Sequence, residues 1–423
     1  MLHTSPARTF SLILALCIVT SAPAAAAKKS HSSKKYQHVA STKPITKPTR
    51  ASAYKLRKAK KRADSGSGTQ VASGPWLEPT FADSTMGDNV DGEDLVVRRA
   101  AVDALGPYNG TVVVADPNTG KILTIVNQKT AFKAGFQPCS TIKIVAALAG
   151  LSEGIIDRNT SMRLYGRTSM NLTNALAHSN NNYFANVGVK LGFDKVNYYA
   201  RLFGLGEKAS LNIDAEMPGT LPDAPPKNGG MGMMTSFGEG IALTPLQLTA
   251  LVSAVANGGT LYYLQYPKNA AEAEKFVPRV KRHLAIQESI PELKPGMMGA
   301  VEYGTARRAN YDPNEPIFGK TGTCTDRQSP THLGWFGSFN DVQGKKLAVV
   351  VLLTGGRPVN GPVAAGVAGN VYKNLSQQKF FAHNRTISPV ALSRRMTNCV
   401  ASLVAIDSKN FRFSRSNLVV DFW

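Results

Sequence analysis

The alternation of apolar and turn-forming residues predicts a β-hairpin followed by a helix in the first third of the chain. Residues 111–115 and 121–126 are rich in β-branched side chains, and the intervening Asp-Pro-Asn-Thr-Gly has the composition of a tight reversal. A helix is predicted to begin near Ser140 and to end at Gly154. The apolar residues at helical spacing are Ile144, Val145, Leu148 and Leu151.

The middle of the chain, residues 159–257, is predicted to be mostly helical. Apolar residues recur there at steps of four and seven, at Leu172, Leu176, Tyr183, Val187 and Leu191. A later helix has a well-marked start. Thr244 can cap it, Pro245 suits its first position, and Gln247 can complete a capping box.

Three β-rich runs follow closely toward the C terminus and predict an antiparallel meander. They occupy residues 318–323, 334–339 and 347–353. Strands at both ends of a domain, with helices between them, are typical of an α+β fold. We therefore predict an antiparallel sheet flanked by helices, with an inserted helical subdomain.

Charge is distributed very unevenly along the chain. The formal net charge is +21, and the segment 28–62 holds thirteen Lys and Arg with no Asp or Glu. Such a block favours a solvated basic linker over a nucleic-acid-binding domain. Contact of this linker with anionic wall polymers or a membrane surface is the alternative.

The N-terminal residues have the pattern of an export signal. Arg8 precedes an apolar run from Phe10 to about Ala22, and small residues follow. The run is short for a membrane span and Pro23 interrupts it, so a cleaved signal is favoured over an anchor. We expect an exported, periplasmic or cell-envelope protein. Its predicted parts are a signal peptide (1–27), a mostly disordered basic linker (28–94), a folded domain (95–385) and a C-terminal tail of unknown role (386–423).

Three short motifs follow one another along the predicted domain, and the first contains a candidate nucleophile. They are Ser140-Thr-Ile-Lys143, Ser179-Asn-Asn181 and Lys320-Thr-Gly-Thr323. A serine hydroxyl needs a nearby base to become a nucleophile. Lys143 lies one helical turn after Ser140, and burial in a cleft would disfavour its charged form, so it is a candidate base.

The other two motifs supply groups that could bind a peptide. Ser179 could pass a proton from Lys143 to a leaving amine, and Asn181 could bond a peptide backbone. A polar loop between two helices is the plainer interpretation of this second motif.

The third motif could recognise a carboxylate and an oxyanion. Lys320 would add positive charge, while the hydroxyl groups of Thr321 and Thr323 suit a carboxylate. Gly322 would allow a substrate backbone to come close. The backbone N–H groups of Ser140 and Thr323 could form an oxyanion hole.

Together these motifs resemble those of the penicillin-binding protein and active-serine β-lactamase superfamily. The resemblance extends to segments 114–123, 236–240, 244–247, 302–306 and 332–336. It implies an antiparallel sheet of about five strands. It also implies that Ser140 is the acylated nucleophile, that Lys143 is its base, and that Ser179 and Asn181 form the second motif. Lys320, Thr321, Gly322 and Thr323 would form the third.

Two of the four cysteines flank these motifs. Cys139 precedes Ser140, where transpeptidases more often have glycine, and Cys324 follows Thr323. We expect two buried free thiols, with a disulfide between them as the alternative. No Cys/His cluster suggests a metal, and the sequence gives no indication of a nucleotide or another cofactor.

The resemblance implies a serine D-alanyl-D-alanine transpeptidase or carboxypeptidase. Its partners would be peptidoglycan stem peptides and β-lactams, with no nucleic acid. The first alternative is a serine β-lactamase of the class D type, with Glu216 or a carboxylated Lys143 assisting hydrolysis of the acyl-enzyme. A non-catalytic penicillin sensor and a structural wall-anchoring protein are two further alternatives.

Overall fold

The computed structural model describes residues 76–133, 135–164, 168–326 and 330–382. The expected signal peptide, most of the basic linker and the C-terminal tail from 386 onward lie outside the described residues. Among the residues described, no helix combines the length and the apolarity needed to cross a membrane.

Strands lie at the two ends of the domain, as the sequence predicted, and helices are the main regular elements between them. The prediction that residues 159–257 are mostly helical was too broad, because residues 203–229 lie outside the helices and strands. The strands are β1 (Gly110–Ala115), β2 (Ile122–Val126), β3 (Met162–Arg163), β4 (Ser169–Met170), β5 (Thr260–Tyr262), β6 (Val280–His283), β7 (Ile317–Asp326), β8 (Thr331–Val342) and β9 (Lys345–Gly355). The helices are α1 (Leu95–Leu105), α2 (Gln128–Ala131), α3 (Lys143–Ser152), α4 (Leu172–Ala177), α5 (Asn181–Leu191), α6 (Phe193–Leu202), α7 (Gly230–Phe237), α8 (Pro245–Ala256), α9 (Ala270–Glu274), α10 (Ser289–Glu302) and α11 (Gly361–Gln377). Short 3₁₀ turns occupy Cys139–Ile142 and Arg307–Ala309.

Five of these strands form one antiparallel sheet in the order β2-β1-β9-β8-β7. The predicted hairpin is β1–β2 and the predicted meander is β7–β8–β9. Pairing of β1 with β9 joins the two ends of the domain, with Val113 opposite Val350. The predicted α+β class with about five strands is therefore confirmed. Strand β7, which carries the third motif, forms one edge of the sheet.

Helices cover both faces of the sheet. Successive side chains of a strand point to opposite faces, and in the central strands the side chains on both faces are apolar. On one face, Val113 and Val350 pack with the buried residues of α3 and α8. On the other face, Val112 and Val351 pack with those of α1 and α11. The first of these clusters includes part of the 3₁₀ turn Cys139–Ile142, the nucleophile turn, and thereby holds that turn against the sheet.

The second motif lies where the apolar series of residues 172–191 is divided between α4 and α5. Ser179 stands between the two helices with φ of 54°, a left-handed conformation that few residues other than glycine adopt. The side chain of Asn180 then accepts from the N–H of Tyr183 and caps α5. This reversal turns Ser179 and Asn181 toward α3.

Folded structure begins earlier in the chain than the expected boundary at residue 95. Asp88 Oδ2 lies 2.7 Å from the guanidinium of Arg98, and its carboxylate also accepts from the N–H groups of Asn127 and Gln128. Both partners of the ion pair are largely buried. Residues 76–94 are polar, as a linker would be, but specific ion pairs and hydrogen bonds bind them to β2 and α1.

The capping box at α8 gives a test of fold stability. Thr244 Oγ1 accepts from the N–H of Gln247, whose side-chain oxygen accepts from the N–H of Thr244. We expect Thr244→Val to lower the free energy of unfolding by about 1–2 kcal/mol, because a buried helix start loses its cap. Urea unfolding would measure this loss.

Thr249→Val is the matched control, since Thr249 is equally buried on the same helix and its hydroxyl donates to the carbonyl of Pro245, one turn back. Its expected cost is under about 0.5 kcal/mol. Equal losses in the two variants would deny the cap a special role.

Candidate active site

The first motif lies on a 3₁₀ turn that leads directly into α3. Ser140 sits on this turn and is 9% exposed, while Lys143 begins the helix and is completely buried. The turn is docked on the sheet, because Trp335 Nε1 donates to the carbonyl of Gln137 at 3.0 Å. The nucleophile candidate is therefore held at the boundary between the sheet and the helical subdomain.

The amine of Lys143 joins the first two motifs. Its Nζ lies 3.0 Å from Ser140 Oγ, 3.1 Å from Ser179 Oγ and 2.6 Å from Asn181 Oδ1. It also donates to the carbonyl of Ser179 at 2.8 Å. The second motif is thus part of the site rather than only a polar loop between helices.

The environment of Lys143 favours its uncharged form. Burial, followed by repulsion from the positive charge of Lys320, lowers the pKa of Lys143 to about 6. At neutral pH the amine is then mostly unprotonated and can accept a proton from Ser140. This is the protonation state that a general base requires.

Lys320 connects the third motif to the same group of side chains. Its Nζ donates to Ser179 Oγ at 2.8 Å and to the carbonyl of Thr321 at 2.9 Å. Burial lowers the pKa of Lys320 to about 7. Ser179 therefore lies between two amines and is connected through Lys143 to the hydroxyl of Ser140.

The other members of the third motif lie along the edge strand β7. Thr323 is exposed and its Oγ1 accepts from the N–H of Gly361 at 2.7 Å, whereas Thr321 is buried and its Oγ1 lies 2.7 Å from Thr305 Oγ1. A Cβ atom added to Gly322 would be only 2.9 Å from the carbonyl oxygen of Pro138. The close neighbour that requires glycine here is thus the nucleophile turn of the protein itself.

Two contacts involve residues outside the three motifs, for which the sequence predicted no role. Ser140 Oγ donates to the carbonyl of Ser236 at 3.4 Å, and Thr305 holds the hydroxyl of Thr321. The only sequence signal was that both residues lie in segments resembling the superfamily. A backbone carbonyl leaves no trace in residue type, so its position depends on the fold.

Glu216 does not occupy the place of a second catalytic base. It is buried, and its carboxylate accepts from the N–H groups of Ala209 at 2.9 Å and Ser210 at 2.8 Å, as well as from the Ser210 hydroxyl. None of these partners belongs to the three motifs. Over the described ranges, no group of three or more His, Cys, Asp or Glu could hold a metal ion.

The two cysteines that flank the motifs form a disulfide bond. Cys139 and Cys324 are joined, with their Cα atoms 5.6 Å apart. The expectation of two free thiols was therefore wrong, and the alternative is what the structure shows. The reason is that β7 passes alongside the nucleophile turn, at the contact between Gly322 and Pro138.

The sheet, its flanking helices and the meeting of the three motifs define a protein of the active-serine transpeptidase-like class. A family model described as the penicillin binding protein transpeptidase domain matches residues 110–376. The chain belongs to this family.

Curated proteins of other organisms are similar to this chain over part of their length. Stage V sporulation protein D of Bacillus subtilis is 26% identical over 282 residues, which cover 59% of this chain and 44% of that protein. Peptidoglycan D,D-transpeptidase PbpA of Mycobacterium tuberculosis (strain H37Rv) is 25% identical over 328 residues, covering 62% and 66% of the two chains. The chain thus spans less than two thirds of either relative.

The fold similarity is with Pseudomonas aeruginosa PBP2, solved in complex with WCK 5153. The TM-score is 0.56, and the match covers 70% of this chain and 78% of that chain. Sequence identity in this match is 22%, so it supports the fold only.

Proposed function

We propose that the protein is a serine D,D-transpeptidase or D,D-carboxypeptidase that acts on peptidoglycan stem peptides and is acylated by β-lactams. The observation that carries this proposal is the contact of Lys143 Nζ with both Ser140 Oγ and Ser179 Oγ inside a buried site. One relative is named peptidoglycan D,D-transpeptidase PbpA, and its name supports the transpeptidase form of this proposal.

Acylation follows from the order of these contacts. Lys143 takes the proton of Ser140, and Ser140 Oγ attacks the carbonyl carbon of the scissile D-alanyl peptide bond. The backbone N–H groups of Ser140 and Thr323 stabilise the tetrahedral oxyanion. Ser179 gives its proton to the leaving amine and regains one from Lys143, so that D-alanine leaves and an ester on Ser140 remains.

Substrate binding uses the remaining groups of the second and third motifs. Asn181 presents its Oδ1 to Lys143, so the amide NH₂ is the part that meets a substrate carbonyl. The exposed hydroxyl of Thr323 and the positive charge of Lys320 suit the terminal carboxylate of a D-alanyl peptide. A β-lactam bears a carboxylate near its reactive carbonyl and enters by the same route.

The acyl-enzyme is resolved by an amine or by water. An amine from a second stem peptide gives a cross-link, and water gives a shortened peptide. Rapid hydrolysis of a β-lactam ester would need a base poised beside the ester, and the carboxylate of Glu216 is fully engaged elsewhere. The transpeptidase or carboxypeptidase reaction is therefore preferred over a β-lactamase reaction.

We further propose that residues 1–27 direct export. The basic segment 28–62 would then connect the exported domain to its surroundings, near anionic wall polymers or lipid headgroups. Sequencing the N terminus of the protein from cells and locating the protein by cell fractionation would test both statements. A protein that keeps residues 1–27 and stays in the cytoplasm would contradict them.

A fluorescent penicillin tests the proposed activity. We expect a stable label on the native protein, located on Ser140 by peptide mass mapping, and no label on Ser140→Ala. A label on another residue would contradict the assignment of the nucleophile. Continuous hydrolysis of the penicillin over many turnovers would instead identify a β-lactamase. If the protein were neither labelled nor able to hydrolyse the penicillin, a binding or structural role would be favoured.

A further inference from the structure

We propose that the Cys139–Cys324 disulfide positions the oxyanion hole, by fixing the nucleophile turn relative to strand β7. This inference rests on the proposed function. The bond joins the residue before Ser140 to the residue after Thr323. Ser140 and Thr323 carry the two N–H groups assigned to the oxyanion hole. The disulfide therefore joins the two halves of the hole at the residues next to both donors.

On the side of the nucleophile, the disulfide restrains a residue that directs one donor. The N–H of Ser140 belongs to the peptide bond between Cys139 and Ser140, so rotation about the backbone of Cys139 redirects it. Cys139 has φ of 51°, and a left-handed conformation at a residue other than glycine persists only where its surroundings hold it. Cys139 is completely buried and bonded to Cys324, which supplies such a restraint.

On the side of the strand, the disulfide restrains the edge of the sheet. β7 has β8 as its sheet neighbour on one side and presents its other edge to the nucleophile turn. Gly322 packs against Pro138 where the strand meets the turn. This contact is not a bond, so by itself it does not prevent β7 from sliding along the turn. Two residues further along the strand, the disulfide bond at Cys324 prevents such sliding.

A disulfide that only stabilised the fold would have a different signature. Cross-linking residues 185 positions apart acts mainly on the unfolded chain, so its loss would lower the melting temperature without changing the folded site. A positioning role affects the transition state specifically, because the oxyanion exists there and not in the bound substrate.

The test compares the double variant Cys139→Ser/Cys324→Ser with wild type and with Cys399→Ser, which removes a cysteine outside the pair. All are assayed below their melting temperatures. We expect the double variant to be acylated by penicillin about tenfold more slowly, a part of the roughly 10²–10³-fold that loss of a whole oxyanion donor costs. Its affinity for a peptidyl boronic acid, whose tetrahedral adduct places an oxygen in the hole, should fall by a similar factor.

Binding of an unreacted substrate distinguishes a positioning role of the disulfide from a merely structural one, because positioning of the oxyanion hole should leave this binding almost unchanged. In a Ser140→Ala background, the affinity for a D-alanyl-D-alanine peptide should change less than about twofold when the cysteines are replaced. Acylation at the wild-type rate in the folded double variant, or equal losses of peptide and boronate affinity, would overturn the inference.

A second measurement covers the case in which the double variant fails to fold. Dithiothreitol reduces the bond in wild type to two thiols and is itself oxidised to its cyclic disulfide. Acylation should slow about tenfold on reduction and recover on reoxidation, while Cys399→Ser behaves as wild type. A labelled wild type whose thiols are all free would overturn the inference and leave the proposed function intact, whereas a wild type that penicillin never labels would overturn both.

Discussion

Lys143→Met is expected to slow acylation of Ser140 by penicillin by about 10²–10⁴-fold, the range that a general base contributes. Methionine has nearly the length of lysine and is compatible with the complete burial of this position, so the loss should come from the missing amine. The pKa of Lys143 is lowered to about 6, so its amine is mostly unprotonated at neutral pH, as the proposed role of proton acceptor requires. Stopped-flow mixing with a fluorescent penicillin would measure the rate.

Lys294→Met is the matched control for this change. Lys294 is half-buried, whereas Lys143 is completely buried, and the pKa of Lys294 is likewise lowered, first by burial and then by Lys346. Its amine lies over the rings of Phe318 and Phe339 instead of beside Ser140. Its replacement should change the acylation rate less than about threefold, as a substitution away from the reacting groups does. If Lys143→Met acylated as fast as this control, another group would have to be the base.

Local signals explain why so much of the fold could be predicted from the sequence. The hairpin β1–β2 and the start of α8 depend on residues next to each other in the chain, and turn and capping preferences act over that range. The spacing of Ser140 and Lys143 is also local, because one helical turn brings them together. These features were confirmed at the positions where the sequence placed them.

Contacts between distant segments could not be predicted one by one. The resemblance of the motifs predicted only that all three motifs meet in one site. Lys320 and Ser179 are 141 residues apart, and their 2.8 Å contact depends on how β7 packs against the helical subdomain. The carbonyl of Ser236 and the pairing of Cys139 with Cys324 depend on the same packing. Residue spacing carries no information about these distances, which is why the free-thiol expectation was wrong.

The earlier start of the folded region has a similar cause. The low-complexity composition ends near residue 74 and acidic residues return at 88–94, but the expected linker extended to residue 94. The carboxylate of Asp88 nevertheless binds Arg98 and two backbone N–H groups at the start of α2. Polar segments held by specific ion pairs and caps look like linkers in sequence, because their stabilising contacts involve partners far along the chain.

The pH dependence of acylation should be a narrow bell with limbs near pH 6 and pH 7. In the proposed mechanism Lys143 acts as a base when unprotonated, so the rate should rise as pH increases through its pKa of about 6. In the same mechanism Lys320 attracts the substrate carboxylate when protonated, so the rate should fall as pH increases through its pKa of about 7. The two amines interact, and the limbs therefore report the pair as a whole. Measuring the second-order acylation constant from pH 5 to 9 would define both.

Lys320→Met should remove the upper limb and lower acylation near pH 6.5 by about 10–100-fold, the worth of one charge-assisted hydrogen bond to the substrate. It should also move the lower limb to higher pH. Repulsion from Lys320 is one cause of the low pKa of Lys143, and removing that positive charge raises the pKa of the base. Lys346→Met, which alters a lysine bound to the carbonyl of Ala256 and to Asp341, should retain both limbs. An upper limb that persisted in Lys320→Met would assign it to another group, and a lower limb that stayed in place would mean that burial alone sets the protonation of Lys143.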